Sequence, residues 1–248
     1  MPPLVSIITP LYNSEKYFQE TCDSIRAQTL PHWEWIVVDD GSRDNSIAMA
    51  RTMEAEDRRV RVFALERNQG AAAARNRAIE AALGRYMAFL DSDDLWMPGK
   101  LERQVAFMED TGCPFTYTYF EKMDERGGNR RLATRPSKVT YEDMLRSNWI
   151  GCLTAMYDTQ YFGKALMPNL RIAHDYGLWL SLLRVVPYAL CIPKPLACYR
   201  EHPGSISGDK LRLLRDQWQL FRNIEGLSTS KSLRSVLWNI AVRLLRLK

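Results

Sequence analysis

Four times between residues 4 and 110 a strand-length apolar run is followed by a longer segment with helical composition. The runs LVSIITPLY (4–12), WEWIVVDD (33–40), RVRVFAL (59–65) and RYMAFLD (85–91) are rich in Val, Ile and aromatic residues. Helices are predicted over 14–29, with Ser14 as N-cap, over 42–57, over 69–84, and from Pro98 to 110, where proline suits the first turn. Parallel neighbours in a sheet need a crossover of a dozen or more residues, and each helix supplies one. The predicted fold class is therefore α/β: an open, mostly parallel central sheet with helices on both faces.

The second half is less regular. FTYTYF (115–120) reads as a strand, ERGGNRR (125–131) as a turn, and 138–148 as a helix. HDYGLWLSLLRV reads as a helix starting near Asp175, and YALCI and LACYREH as two short strands. We expect a main domain over 1–208, with a nucleotide-binding half at 1–95 and an acceptor half at 96–208, followed by a helical tail over 209–248.

No run of ~18 apolar residues exists, so no helix is expected to span a bilayer. The first residues, MPPLVSIITPLYN, carry no basic segment of the secretory type. Five cysteines without C-x-x-C spacing argue for free thiols in a reducing compartment, and the cytoplasm is the expected location. The net charge of +5 is uneven: from Arg200 to Lys248 there are ten Lys or Arg against four Asp or Glu. In the tail, Leu233, Val236, Leu237, Ile240, Leu244 and Leu247 recur at helical spacing, with Trp238 beside them and Arg234, Arg243, Arg246 and Lys248 off the stripe. That is the composition of an interfacial membrane helix, and equally of a helix packed on the domain or on a second subunit of an oligomer. No recognised motif supports nucleic acid as the partner.

In open α/β sheets, ligands sit beyond the carboxyl ends of the strands. Here those ends carry TPLYN, DDGS and DSDD. An apolar strand ending in Asp-x-Asp fits a hard divalent cation shared with a diphosphate, although an acidic turn ahead of a helix has the same composition. Neither G-x-G-x-x-G nor G-x-x-x-x-G-K-[ST] follows the first strand, which disfavours Rossmann dehydrogenases and P-loop enzymes. A nucleotide would need side chains and a metal instead.

Five ordered motifs, TPLYN, IVVDDGSRDNS, QGAAAARNRAI, FLDSDD and HDYGLWL, resemble those of family 2 glycosyltransferases with the GT-A fold, over residues 4 to about 207. MYDTQYFGK, HDYGLWL and LACYR further resemble small bacterial members that build O-antigen, capsule or teichuronic-type polymers. The resemblance implies that Thr9, Pro10 and Tyr12 cradle the uridine of a UDP-sugar, and that Asp40, supported by Asp39, accepts from the uracil imide. Arg75 and Asn76 would line the nucleotide site, with Asp91 and Ser92 near the ribose or sugar. Asp93, with Asp91, would hold Mn²⁺ or Mg²⁺, and Asp175 would be the catalytic base. His202 matches a position from which some members reach the metal or diphosphate, although a lone histidine is equally a structural residue. Two departures stand out: Ala78 where members often carry Gly, and His174 where they often carry an acid.

By this resemblance the chain would transfer a hexose or N-acetylhexosamine, with inversion, to a saccharide acceptor linked to undecaprenyl diphosphate, at the cytoplasmic face of the membrane. Asp175 is also a natural N-cap for the helix it opens, and Trp149 suits either sugar stacking or burial. A sugar-phosphate nucleotidyltransferase and a non-catalytic nucleotide-sugar scaffold are the competing readings.

Overall fold

A computed structural model describes residues 2–202 and 210–246. In chain order the first elements are β1 (Val5–Leu11), α1 (Phe18–Arg26), β2 (Trp33–Asp39), α2 (Ser46–Glu56), β3 (Val60–Ala64), α3 (Ala71–Ala81) and β4 (Tyr86–Phe89). Then come β5 (Leu95–Trp96), α4 (Lys100–Thr111), β6 (Phe115–Met123), β7 (Arg131–Ala133), β8 (Lys138–Val139), α5 (Tyr141–Arg146), β9 (Met156–Asp158) and α6 (Thr159–Phe162). The chain continues through α7 (His174–Leu183), β10 (Ala189–Arg200), α8 (Lys210–Gln219), a π-helical turn at Leu220–Ile224, and α9 (Thr229–Arg246).

One sheet runs through both expected halves, in the order β3-β2-β1-β4-β9-β6-β10-β5, with β7 on β6 and β8 on β10. β1 to β4 pair in parallel around β1, as do β6 and β10, while β9 and β5 run against their neighbours. Because β9 is antiparallel to both β4 and β6, those two strands point the same way. The carboxyl ends of β1, β2, β4, β6 and β10 therefore share one edge.

Both faces of the sheet are covered. Ile8, Ile36, Val38, Met87 and Phe89 pack under α3 and α7, while Val5, Ile7, Trp35, Val37 and Ala88 pack under α1, α2 and α4. Alternate residues of each strand go to opposite sides, so strands covered on both faces need the unbroken apolar runs seen in the sequence.

Several local expectations are corrected. Ser14 is not an N-cap: α1 starts at Phe18, and the Ser14 hydroxyl lies 2.7 Å from the hydroxyl of Ser92 and donates to the Tyr12 carbonyl. α4 starts at Lys100, two residues past Pro98, which lies in the preceding turn. The expected helix at 138–148 is a short strand followed by α5, because Thr140 and Asp143 form a capping box that starts the helix there. The two strands expected at 188–202 are one, β10, carried past Pro193 and Pro195 by register shifts against β6. A strand, β7, also begins at Arg131, the end of the expected turn. α7 begins at His174, so Asp175 lies in its first turn and not at the cap.

The tail packs on the domain in a way its apolar stripe conceals. Among the described side chains of α9, Ser232, Ser235 and Asn239 are the buried ones, and the Asn239 amide donates to the Leu145 carbonyl at 3.2 Å and the Tyr176 hydroxyl at 3.4 Å. Leu233, Leu237 and Trp238 are each half exposed or more. Ahead of them, Leu220 and Phe221 are fully buried, and Glu225 pairs with Arg184 and Tyr141. The expected boundary at 208/209, Leu247 and Lys248 lie outside the described residues, as do the side chains of Arg243, Leu244 and Arg246. Among the described residues, no helix is long and apolar enough to cross a membrane.

Candidate active site

The loops after β1 and β2 are stitched to each other. Asn13 adopts a left-handed backbone (φ 47°); its N–H donates to Ser42 Oγ, and its side-chain oxygen accepts from Arg43 N–H. Ser14 N–H donates to Ser46 Oγ, and Glu15 N–H to Asp44. Gly41 takes φ 77° with Asn68 N so close that a Cβ would stand 3.1 Å from it, which makes glycine the fitting residue there. Tyr12, at the exit of β1, is 46% exposed at the carboxyl edge of the sheet.

The other residues expected around a nucleotide are held internally. Thr9 is fully buried and its hydroxyl accepts from Trp35 Nε1 at 2.8 Å, because the strand alternation aims it into the helix layer. Pro10 is only partly exposed. Asp39 accepts from the N–H groups of Gly41 and Ser42, which closes the turn after β2. Asp40 uses one oxygen for Gln69 N–H at 2.6 Å and the other for Gly70 N–H at 2.8 Å, tying the start of α3 to β2. Asn76 gives both ends of its amide to the backbone of Met167, each at 2.8 Å, and so tethers the loop that leads into α7.

Beyond β4 the carboxylates diverge. Asp91 pairs with the guanidinium of Arg75, which on its other side meets His174 Nε2. Arg75 is 4% exposed; burial works against its charge, but Asp91 and Asp175 hold it firmly protonated. His174 is pushed down to about 3, first by burial and then by the Arg75 charge, so its imidazole is neutral and can accept from Arg75. The histidine that departs from the family pattern is thus a neutral strut between α3 and α7. Asp175, in the first turn of α7, is pushed up to about 6 by burial, against the pull of Arg75 and the N–H of Tyr176. A carboxylate near 6 is poised to take a proton at neutral pH.

Asp93 lies 2.8 Å from His202 Nε2, and its carboxyl is raised by burial and by the charge of Asp91. Asp94 is raised well above the usual range by burial and by Asp93 and Asp91; it accepts from Arg200 N–H at 2.8 Å. Ser92 is buried against Ser14, and its carbonyl accepts from Thr21.

Arg200, at the end of β10, is the organiser that sequence reasoning missed. Its fully buried guanidinium donates to the Asp93 and Glu125 carbonyls, both at 2.9 Å, and to Glu20 at 2.8 Å. An arginine directly before an acid–histidine pair at a strand's carboxyl end was the available signal. Trp149 is partly buried and packs against the main core.

Among the described residues, no group of three or more His, Cys, Asp or Glu is arranged to hold a metal. Asp93 and His202, 2.8 Å apart, would be the residues to hold a divalent ion such as Mn²⁺ or Mg²⁺, offering it one carboxylate and one imidazole. The residues present fit such an ion.

The sequence profile of Glycosyl transferase family 2 matches residues 6–164. TuaG of Bacillus subtilis (strain 168), a glycosyltransferase assigned to teichuronic acid biosynthesis, is 43% identical over 231 residues, 93% of this chain and 92% of that protein. WfgD of Escherichia coli, a UDP-Glc:α-D-GlcNAc-diphosphoundecaprenol β-1,3-glucosyltransferase, is 36% identical over 219 residues, 88% and 85% of the two chains. The crystal structure of S. aureus TarS 1-349 with UDP-GlcNAc superposes with TM-score 0.75 at 22% identity, over 95% of this chain and 70% of that one, which establishes the GT-A fold. The chain belongs to glycosyltransferase family 2.

Proposed function

We infer that the chain moves a hexose or N-acetylhexosamine from a UDP-sugar to a hydroxyl of a saccharide carried on a lipid diphosphate, in the assembly of a bacterial surface polysaccharide. The observation that carries this reading is the Asp175–Arg75–Asp91 cluster: a carboxyl raised to about 6, linked through one buried guanidinium to the acidic loop after β4. The relatives TuaG and WfgD support the pathway and the acceptor class.

In this reading the exposed Tyr12 stacks on the uracil, while Asp40 ties the end of β2 to the start of α3 beside it. Asp93 and His202 would hold a divalent ion, which as a Lewis acid supplies stabilisation of the charge developing on the departing UDP. Asp175 removes the acceptor hydroxyl proton as that oxygen attacks the anomeric carbon, a role worth ~10²–10⁴-fold. Arg75 keeps Asp175 from rising further, and so keeps it a usable base. The attack comes from the face opposite UDP, through an oxocarbenium-like transition state, and inverts the centre.

The reaction belongs at the cytoplasmic face of a membrane, with the tail as the docking element. Its outward Leu233, Leu237 and Trp238, flanked by Arg222 and Arg234, suit an anionic interface. Leu237→Glu with Trp238→Glu should abolish co-sedimentation with vesicles containing phosphatidylglycerol while leaving the fold intact. Binding unchanged by both substitutions would refute the docking role.

The primary test is UDP release by the purified protein over a panel of UDP-sugars, with Mn²⁺ or Mg²⁺ and a GlcNAc-diphospho-lipid analogue. We expect turnover with one donor, lost on chelation and in Asp93→Ala. Release of pyrophosphate in place of UDP would favour a nucleotidyltransferase. Donor binding without turnover, whatever the acceptor, would favour a scaffold.

A further inference from the structure

A cleft of about 690 Å³ opens between the start of α3, the loop at 169–171 and α8. Three arginines line it, Arg171, Arg212 and Arg215, against one acid. That acid, Asp216, is buried and already accepts from the Ile172 N–H at 2.8 Å. The guanidinium groups of Arg171 and Arg215 have no hydrogen-bond or ion-pair partner among the described residues. Gly70 and Gln69, on the same wall, already give their N–H groups to Asp40, so the attraction for an anion in the cleft comes from the arginines.

The position of the cleft says which anion. Arg171 is four residues before Asp175, on the loop that Asn76 tethers to α3 and Asp216 tethers to α8. Asp93 and His202, the donor set fitted to a metal and the donor's diphosphate, belong to the loop after β4 and the segment after β10 instead. The walls also meet the tail: Leu211, 82% exposed, stands at the rim on the helix that precedes the outward apolar residues of α9.

We propose that this cleft binds the diphosphate of the acceptor, with Arg171 and Arg215 as its ligands and the lipid leaving past Leu211. The proposal rests on the lipid-diphosphate acceptor inferred above. Arginine suits it, since a planar fork can take two phosphate oxygens at once and never loses its charge. Held there, the diphosphate fixes the first sugar of the acceptor beside Asp175, and so selects the acceptor by its linkage as well as by its sugar.

The test compares wild type with the double variant Arg171→Ala/Arg215→Ala and the corresponding double Lys variant. Three constants are measured: KM for a GlcNAc-diphospho-lipid analogue, KM for the UDP-sugar, and kcat/KM for an uncharged alkyl GlcNAc glycoside. We expect the alanine variant to raise the diphosphate-acceptor KM roughly 10- to 100-fold, the loss of charge-assisted hydrogen bonds. The lysine variant should fall in between, and the UDP-sugar KM and the uncharged-acceptor kcat/KM should not move. A matching rise in the UDP-sugar KM would assign the cleft to the donor's diphosphate and overturn the proposal. So would an unchanged acceptor KM in a folded alanine variant, with the acceptor class left standing. Wild type that uses the uncharged glycoside as well as the diphosphate would instead refute the acceptor class itself.

Discussion

Asp175→Asn keeps the shape of the side chain and an oxygen for the Tyr176 N–H, which Asp175 now accepts at 2.8 Å. It removes the charge. In the fold this carboxyl is raised from 3.8 to about 6, a value that already includes the attraction of Arg75. The folded state therefore disfavours the carboxylate relative to the unfolded chain, by roughly 3 kcal/mol once the group is fully ionised. The sign follows directly. Below about pH 4 the carboxyl is protonated in both states and costs nothing; the cost grows through pH 4–6 and is complete above 6. The asparagine variant escapes it, so it should be more stable than wild type by up to ~3 kcal/mol at pH 7.5 and by nothing at pH 3.5. For a chain of this size that is on the order of 6–12 °C in Tm at the higher pH.

Activity moves the other way. Wild-type kcat/KM should fall on the acid side with a midpoint near 6, and the variant should lose about 10²–10⁴ in kcat. Thermal unfolding between pH 3.5 and 8, beside UDP-release kinetics, reads both effects. A variant with near-normal kcat would refute the base assignment. A stability difference that does not change with pH would refute the origin of the raised carboxyl.

Three further outcomes follow from the same contacts. Arg75→Met leaves the partly buried Asp91 and Asp175 without their counter-charge; it should cost about 1–3 kcal/mol in denaturant unfolding and move the acid limb of kcat/KM above pH 6. Gly177→Ala places a Cβ 2.4 Å from Pro168 Cγ and 3.1 Å from Leu220 Cδ1, so it should cost ~1–3 kcal/mol and lower kcat by shifting α7 and with it Asp175. Lys100 is fully buried over the Trp96 ring, has no hydrogen-bond partner for its amine, and is pushed well below 10.5 by burial. Its folded state disfavours the ammonium, and the stability lost on protonation is missing at neutral pH. Lys100→Met should therefore stabilise by ~1–3 kcal/mol at pH 7, with the gain shrinking as the pH approaches 10. Melting curves at the two pH values check it.

The early half of the chain is legible because its signals are local. Parallel strands covered on both faces require unbroken apolar runs, and the crossover helices between them require their length, so β1 to β4, α1 to α4 and the polar strand ends follow from residues 4–110 alone, while the two-residue β5 exists only by pairing with β10. The five motifs likewise give the family, because each lies within a dozen residues. What sequence does not contain is the pairing of distant segments. β9 enters between β4 and β6 and brings two halves into one sheet, and β10 crosses two prolines that read as a break, since β6 supplies a ladder on which the irregularities are absorbed.

The same limit separates the residues of the site from their partners. Asp91, Asp93 and Asp175 could be named from motifs, but which side chain faces each depends on α3, α7 and the end of β10 converging from 16 to more than 100 residues away. Arg75 can be named from its motif, but that it sits between Asp91 and His174 is decided only by the fold. Arg200 reads as one basic residue among many and is instead the core of the acidic loop. In the tail, periodicity establishes an amphipathic helix, but not which side meets the protein. Ser232, Ser235 and Asn239 face inward because the domain offers that helix the Leu145 carbonyl and the Tyr176 hydroxyl, and only the folded chain brings those groups together.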